Sequence, residues 1–268
     1  DRGRKAGLTM RPPDTDPDSP FGPPIVRGGW SVRLATPEDM PAILLLRARA
    51  FRGGSEDGDA HDAASLHLWV GTPGQGPRAT VRLRVHPDGA ALLGGYAAGH
   101  YDLRALAASG GVTLELGRLC TAGAGAATDS ATGAGGDLLR LVWAGVARLV
   151  QRSGAARLVG CTSFPTTDTA ALAPAWAYLA ARAAAPAERR PQRKAPETHP
   201  FPPASGSVDA AAVALLPPLL RAYLAMGGWV SDHAVVDRDL GTCHVFTCVE
   251  VDRLPPARRR AVEALAAG

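Results

Sequence analysis

The sequence predicts an α/β (α+β) fold, a mixed β-sheet flanked by helices, and three observations carry that prediction. Residues 112–164 read as strand, glycine-rich loop, amphipathic helix and second strand, which implies a right-handed parallel crossover. Ahead of this unit, residues 66–86 read as an antiparallel hairpin, and beyond it residues 235–251 supply further strands. Parallel and antiparallel pairs in one chain of 268 residues, long enough for a substantial core, point to one mixed sheet in one domain.

In chain order, residues 1–27 are rich in Pro, Asp, Gly and Arg without periodicity and are expected to form a disordered arm, leaving 28–268 as the domain. Trp30, Val32 and Leu34 alternate as a strand. Thr36 then caps a helix with Pro37 at its first position and Glu38 and Asp39 in its first turn, ending near Phe51. GGSEDGDAHD reads as a loop. Leu66, Leu68 and Val70 resume an alternating strand, and a turn holding Pro73, Gly74 and Gly76 leads to its partner, where Val81, Leu83 and Val85 alternate against Arg82 and Arg84. A short helix is expected over Leu103–Ala108.

In the central unit Val112, Leu114 and Leu116 face one way and Glu115 the other. A regular strand would send Arg118 to the face opposite Glu115; a bulge at Gly117 would bring the two together. A plain Glu–Arg pair on the sheet surface is the alternative reading. From Asp137, the residues Leu138, Leu141, Val142, Val146 and Leu149 recur at helical spacing with Gly145 on their face; Arg148 and Arg152 lie near the end and Gly154 follows as a C′ residue. Leu158 to Cys161 form a continuous apolar run, as a strand buried on both faces requires. Backbone N–H groups gathered between strand and helix suit a phosphate or a developing oxyanion, so the chemistry is expected there. Thr167–Arg182 is Ala-rich and helical, and residues 183–207 carry many prolines and read as a mobile lid or loop. Val208 begins a helical segment, Pro217-Pro218 opens another, Val235–Asp237 and Cys243–Val251 are strands, and Pro255–Ala266 is a terminal helix.

Several classes are disfavoured. Cys120, Cys161, Cys243 and Cys248 lack CxxC spacing and read as reduced core residues, and no metal site is expected. No run of about 18 apolar residues and no signal-peptide core is visible, so a cytoplasmic location is expected, with peripheral contact at the inner membrane face open to it. The net charge of +4 is uneven: Arg189, Arg190, Arg193 and Lys194 cluster, as do Arg258, Arg259 and Arg260. Such clusters suit an acidic protein or an anionic membrane surface, or are simply solvated. Few aromatics accompany them, so no nucleic-acid partner is expected.

This element order is the plan of the GCN5-related N-acetyltransferase fold. ELGRLC (115–120), LVWAGV (141–146), VGCTSFPTTD (159–168) and LLPPLLRAYLAMGGWVSDHAVVDRDLGTCHV (215–245) resemble the bacterial ornithine lipid N-acyltransferases, with the similarity running over residues 40–260. The resemblance implies transfer of a 3-hydroxyacyl group from the phosphopantetheine thioester of acyl carrier protein to the α-amino group of ornithine, giving a lyso-lipid, with acyl carrier protein as partner. It extends to the acyl-homoserine lactone synthases and carries over a set of positions: Arg47 and Phe51 in LLRARAF, Asp59 and Asp62 in DAHD, Arg82 in TVRL, and Glu115 and Arg118 in ELGR. Family members usually have a Tyr-Arg pair after ELGR-x-C and often Phe where His61 stands; this chain has neither. Ser130–Gly135 resembles the acetyltransferase glycine pattern, which implies that Gly133, Gly135 and Gly136 hold the pantetheine phosphate.

The chemistry requires a base, because the free amine is protonated. Glu115, directly or through water, is the candidate, and N–H groups freed at the bulge are the candidate oxyanion donors. Arg118, Arg82 and Arg47 would hold carboxylates, either the substrate's or those of Asp59 and Asp62. Phe51 and Asp168 are the substrate-binding candidates, Asp168 being equally readable as a helix cap. Ornithine's side chain needs an acidic or carbonyl partner, and Asp57, Asp59, Asp168, Asp232 and Asp237 are available, so glutamine, lysine or glycine stay open as acceptors. His61, His67 and His233 could each serve as a proton acceptor, with exposed loop histidines as the favoured reading, and a covalent route through Cys120 lacks a visible His partner. The rivals are a lactone synthase, an acetyl-CoA enzyme and a non-catalytic module on a membrane surface.

Overall fold

The structure, a computed structural model, describes residues 19–123, 134–204 and 212–267. Its strands are β1 (Ile25–Arg27), β2 (Trp30–Leu34), β3 (Leu66–Gly71), β4 (Pro77–His86), β5 (Tyr101–Asp102), β6 (Thr113–Thr121), β7 (Arg157–Phe164), β8 (Gln192–Arg193), β9 (Thr198–Pro200), β10 (Trp229–Val230), β11 (His233–Asp237) and β12 (Thr242–Glu250). Its α-helices are α1 (Met40–Phe51), α2 (Gly89–Leu92), α3 (Tyr96–His100), α4 (Arg104–Ala108), α5 (Ala134–Ser153), α6 (Ala173–Arg182), α7 (Ala212–Leu215), α8 (Pro218–Ala225) and α9 (Pro256–Ala267). One ten-stranded sheet runs β1-β2-β3-β4-β6-β7-β12-β11-β9 with β10 added to β12, and β5 pairs with β8 as a separate ribbon. Among the strands described, β6 and β7 alone pair in parallel, as the crossover through α5 demands, and a parallel bridge joins Ala184 to Val230.

Helix α5 lies on the sheet because its apolar stripe meets the inward residues of β2, β3, β4 and β6, with Val32, Leu68, Val81 and Leu83 fully buried beneath it. Gly145 sets that spacing. A Cβ there would sit 2.6 Å from Leu68 Cδ2, so a side chain would lift the helix off the sheet. A second core gathers Tyr101, Leu103, Trp229 and Phe246, and a third packs Trp176 and Leu220 of α6 and α8 against Phe164 and Val245.

The structure shortens the expected arm. Residues 1–18 lie outside the described residues, but Phe21 and Ile25 are buried and β1 pairs with β2. Arg148 and Arg152 of α5 donate to the carbonyls of Pro23, Pro20 and Ser19, so two apolar anchors and two guanidinium clamps offset the Pro-rich composition. The expected mobile lid is likewise tied down across Ala184–Pro200. Backbone bonds link Ala185 N to the Val230 carbonyl and Ala195 N to the His100 carbonyl, while β8 joins β5 and β9 joins β11. Arg189 pairs with Glu250, Arg190 lies 4.0 Å from the Asp232 carboxylate, and Lys194 Nζ donates to the Ala98 carbonyl, so three of the four residues of that basic cluster have internal partners.

Candidate active site at a strand fork

The ladder between β6 and β7 runs only from Thr113↔Arg157 to Leu116↔Gly160, after which β7 follows β12 down to Phe164↔Cys243. Gly160 occupies the last paired position because its neighbour is too close for anything larger: a Cβ would lie 2.6 Å from the Leu116 carbonyl oxygen. On its other side β6 bulges. Thr80 pairs with Cys120 and Arg82 with Gly117, so Val81 alone faces both Arg118 and Leu119, and Arg118 takes the left-handed φ of +53°. The bulge expected at Gly117 thus exists one residue later.

The fork opens onto a cavity of about 360 Å³, within the usual range for small-molecule sites. Leu116 to Leu119 form one wall and Gly160 to Ser163 the other, with Asp237, Thr242 and His244 contributed by β11 and β12. Phe51 of α1 and Tyr96 of α3 also line it, and Leu219 and Tyr223 of α8 with Pro165 add apolar surface.

Beside this cavity lies an ion network. Arg47, fully buried, bonds the Asp57 carboxylate at 2.8 Å and Asp62 at 2.8 Å. Arg118 reaches Asp57 at 3.1 Å and Asp59 at 3.4 Å, Arg82 reaches Asp59 and Asp62, and Arg52 reaches Asp57 and the exposed Asp239. Four guanidinium groups therefore meet four carboxylates. Burial pushes Asp62 up, but the hydrogen bonds from Arg47, the Asp59 N–H and Arg82 outweigh it and hold it at about 2. The network locks the 55–62 loop onto α1 and the sheet; of its arginines, Arg118 also lines the cavity. Asp57, its hub, was read from sequence only as one of five acids. The proximity of Arg47 and Arg52 was the available signal.

Tyr96 sits between two of these arginines, with Arg82 5.4 Å and Arg118 5.5 Å from its ring centroid. Burial pushes its phenol up to about 12, so it stays protonated. Tyr96 also begins α3, and Glu115 holds that helix. The Glu115 carboxylate accepts from Ala97 N at 2.7 Å and Tyr96 N at 3.2 Å and contacts His86 Nε2 at 2.8 Å. Burial favours its neutral form, but His86 and the two N–H groups prevail and lower its pKa. It does not touch Arg118, and it faces a separate hollow of about 10 Å³, room for one water, with Arg82, Tyr96 and Gly117. The bulge therefore does not unite Glu115 with Arg118. It turns Arg118 toward the acidic loop instead.

A family profile described as Acetyltransferase (GNAT) domain matches residues 47–124, which span α1, the acidic loop, the hairpin and β6. The mixed sheet flanked by helices is GNAT-like, as that match over residues 47–124 indicates. Two relatives in sequence are an L-ornithine N(alpha)-acyltransferase of Rhodobacter capsulatus, 32% identical over 173 residues and 64% of each chain, and one of Brucella abortus, 27% identical over 65% of this chain and 61% of its own. The resemblance read from ELGRLC and the later motifs is borne out by both. This chain spans less than two thirds of the length of either. Among solved structures it is similar to an N-acyl amino acid synthase from uncultured soil microbes (10% identity, TM-score 0.47, 85% of this chain and 97% of the other). A CoA-dependent acyl-homoserine lactone synthase gives 11% identity and a TM-score of 0.40, covering 88% of this chain and 95% of the other. Both likenesses are distant.

Within this GNAT frame the candidates read from sequence divide. Arg47, Asp59, Asp62, Arg82 and Arg118 converge, and Phe51 stands 5.8 Å from the Arg118 guanidinium at the cavity. Asp168 does not join them, because the chain turns away from the fork after β7, and it is not the helix cap either: its Oδ1 accepts from Ala170 N and Ala171 N in the turn ahead of α6, whose N-cap is Leu172. Gly133 lies outside the described residues, and Gly135 and Gly136 fall in the first turn of α5. Among the five aspartates weighed for ornithine, Asp237 lines the cavity. His67 and His233 are buried on strands rather than exposed on loops, since each is an inward position of its strand. Cys120 is fully buried and its thiol is pushed up to about 12 by that burial, which removes it as a nucleophile. Among the described residues no helix is long and apolar enough to cross a membrane, and no three His, Cys, Asp or Glu side chains converge as a metal set.

Proposed function

We propose that this chain is an amino-acid N-acyltransferase that moves a 3-hydroxyacyl group from the phosphopantetheine thioester of acyl carrier protein to the α-amino group of ornithine. The observation that carries this reading is the cavity at the fork, apolar where Leu219, Tyr223 and Pro165 line it and charged where Arg118 and Asp237 do. An acyl chain suits the first end. At the second, the guanidinium of Arg118 takes the α-carboxylate and Asp237, whose Oδ1 already accepts from Leu240 N, offers its other oxygen to the side-chain ammonium. The amine is then presented to the thioester where β6 and β7 part. Backbone N–H groups along these unpaired edges supply the oxyanion donors, each typically worth about 10²- to 10³-fold in rate. Glu115 orients Tyr96 through α3. The 32% identity to an L-ornithine N(alpha)-acyltransferase supports ornithine as acceptor.

Thiol release from 3-hydroxyacyl carrier protein tests the reading, with ornithine, lysine, glutamine and glycine offered separately and products weighed by mass spectrometry. Release that depends on ornithine supports it. Turnover only with acetyl-CoA, or only with S-adenosylmethionine as the amine, would assign the chain to a rival activity.

A further inference from the structure

We infer that the Tyr223 hydroxyl recognises the 3-hydroxyl of the acyl chain and so sets a preference for 3-hydroxyacyl over unsubstituted donors. This rests on the N-acyltransferase reading above. Tyr223 lines the cavity from α8 and is 6% exposed. Trp143 of α5 packs edge-on against its ring with centroids 5.6 Å apart, and Gly228 N donates to its carbonyl at 3.0 Å, so both ring and backbone are fixed. The hydroxyl makes no hydrogen bond among the described residues, yet it is not one of the sealed, partnerless polar atoms of the interior. It therefore reaches accessible space, and the space that Tyr223 lines is the cavity. Phenylalanine would fill the same place without desolvating a polar group, so the hydroxyl is a cost unless something bound there pairs with it.

The pleat of β7 decides which substrate the hydroxyl meets. Leu158 belongs to the core under α5 and its neighbour Val159 to the second core, so these cores lie on opposite faces of the sheet. Tyr223 and Leu116 are in the first, with Leu219 packed against it, whereas α3 joins the second through Ala97 and Ala98. Val235 is in the second core too, and Asp237, two residues further along β11, shares its face. The cavity at the fork thus joins the two faces. Asp237 and Tyr96 meet the amino acid on one, and Leu219 and Tyr223 meet the acyl chain on the other. Thr162, which lines the cavity on the face of Leu158, has its hydroxyl paired with that of Thr247 at 2.9 Å, which leaves Tyr223 to read a polar substituent. Burial alone pushes the Tyr223 phenol well above the usual tyrosine range, so it stays protonated and can both donate and accept. A 3-hydroxyl has the matching proton and lone pairs, and it lies close enough to the thioester carbonyl to share this cavity of about 360 Å³ with the fork. An unsubstituted chain leaves the phenol unpaired.

The test compares the full chain with its Tyr223→Phe variant, offering ornithine and either 3-hydroxyacyl or unsubstituted acyl carrier protein of the same chain length. The wild type is expected to favour the 3-hydroxyacyl donor by about 10- to 100-fold in kcat/KM. Tyr223→Phe should lose about that factor with the 3-hydroxyacyl donor and stay within about threefold of the wild type with the unsubstituted one, which abolishes the preference. Its Tm should hold or rise, because the hydroxyl has no protein partner to lose. The inference is overturned by an active wild type that shows no preference, by a Tyr223→Phe variant that keeps it, or by one that loses both donors equally. A marked fall in Tm would place the hydroxyl in a bond within the protein and overturn it as well. A wild type that transfers neither chain to any amine sinks the N-acyltransferase reading itself, and this inference with it.

Discussion

Asp57→Asn probes the ion network at its hub. Asp57 is 2% exposed, and its carboxylate accepts from Arg47 Nε at 2.8 Å, Arg118 Nε at 3.1 Å and Arg52 Nε at 3.2 Å. Asparagine keeps the shape, removes the charge and turns one acceptor into a donor that faces a guanidinium N–H. Removing one partner of a buried ion pair costs about 3–5 kcal/mol. Because Arg47 keeps Asp62 at 2.8 Å and Arg52 keeps Asp239 at 2.8 Å, the loss should fall at the lower end, near 3 kcal/mol. At roughly 2–4 °C per kcal/mol for a chain of this size, Tm drops by about 6–12 °C. Urea unfolding read by circular dichroism gives the free energy, and Asp239→Asn, at a side chain 73% exposed, is the control expected to change little. A loss below about 1 kcal/mol for Asp57→Asn, or an equal loss for Asp239→Asn, would refute the view that this network is what fixes the 55–62 loop.

Asp237→Asn should raise the KM for ornithine by about 10- to 100-fold, the worth of a charged hydrogen bond, while leaving glycine acylation unchanged; steady-state kinetics with both amines decides it. Gly160→Ala would force β6 and β7 apart at the last paired position, 2.6 Å from the Leu116 carbonyl, at a cost of about 1–3 kcal/mol and with a lower kcat; thermal unfolding and thiol release measure both. Acid stability follows from Asp62. Its folded pKa of about 2 lies below its ordinary 3.8, so its contribution of about 2 kcal/mol is complete above pH 3.8 and fades as the pH falls toward 2. The stability gap between wild type and Asp62→Asn should therefore narrow over that window, and a gap independent of pH would contradict the assignment.

The parts of this fold that repeat with a period could be read from the chain alone. The α5 stripe, the alternation of β4 and the apolar run of β7 each follow from one-sided or two-sided burial, and together they imply the crossover. The need for a bulge was legible too, from the conflict between Glu115 and Arg118, but not its exact residue or its outcome. The role of Glu115 depends on the N–H groups of Tyr96 and Ala97, in a helix of five residues too short to leave a periodic signal. The charged residues of the network were visible one by one; their pairing was not, because it joins positions 47, 57, 82 and 118 through tertiary contact. His244, which lines the cavity, carried one faint signal, a histidine inside an apolar strand. Composition misled at Phe21 and Ile25, where two side chains outweigh a Pro-rich context, and at Ala184–Pro200, where prolines sit between short paired segments.

Among the described residues the ten-stranded sheet ends in two three-residue strands, β1 and β9. Each is flanked or capped by proline: Pro23 and Pro24 precede Ile25, and Pro200, opposite His233, has no N–H to offer a further strand. A large sheet with a long open edge would template the pairing of a second chain, and short proline-marked edges are a recognised guard against it. The Ala184–Pro200 segment and the residues around β1 therefore guard the protein against edge-to-edge aggregation, a service to solubility that is independent of anything bound at the fork.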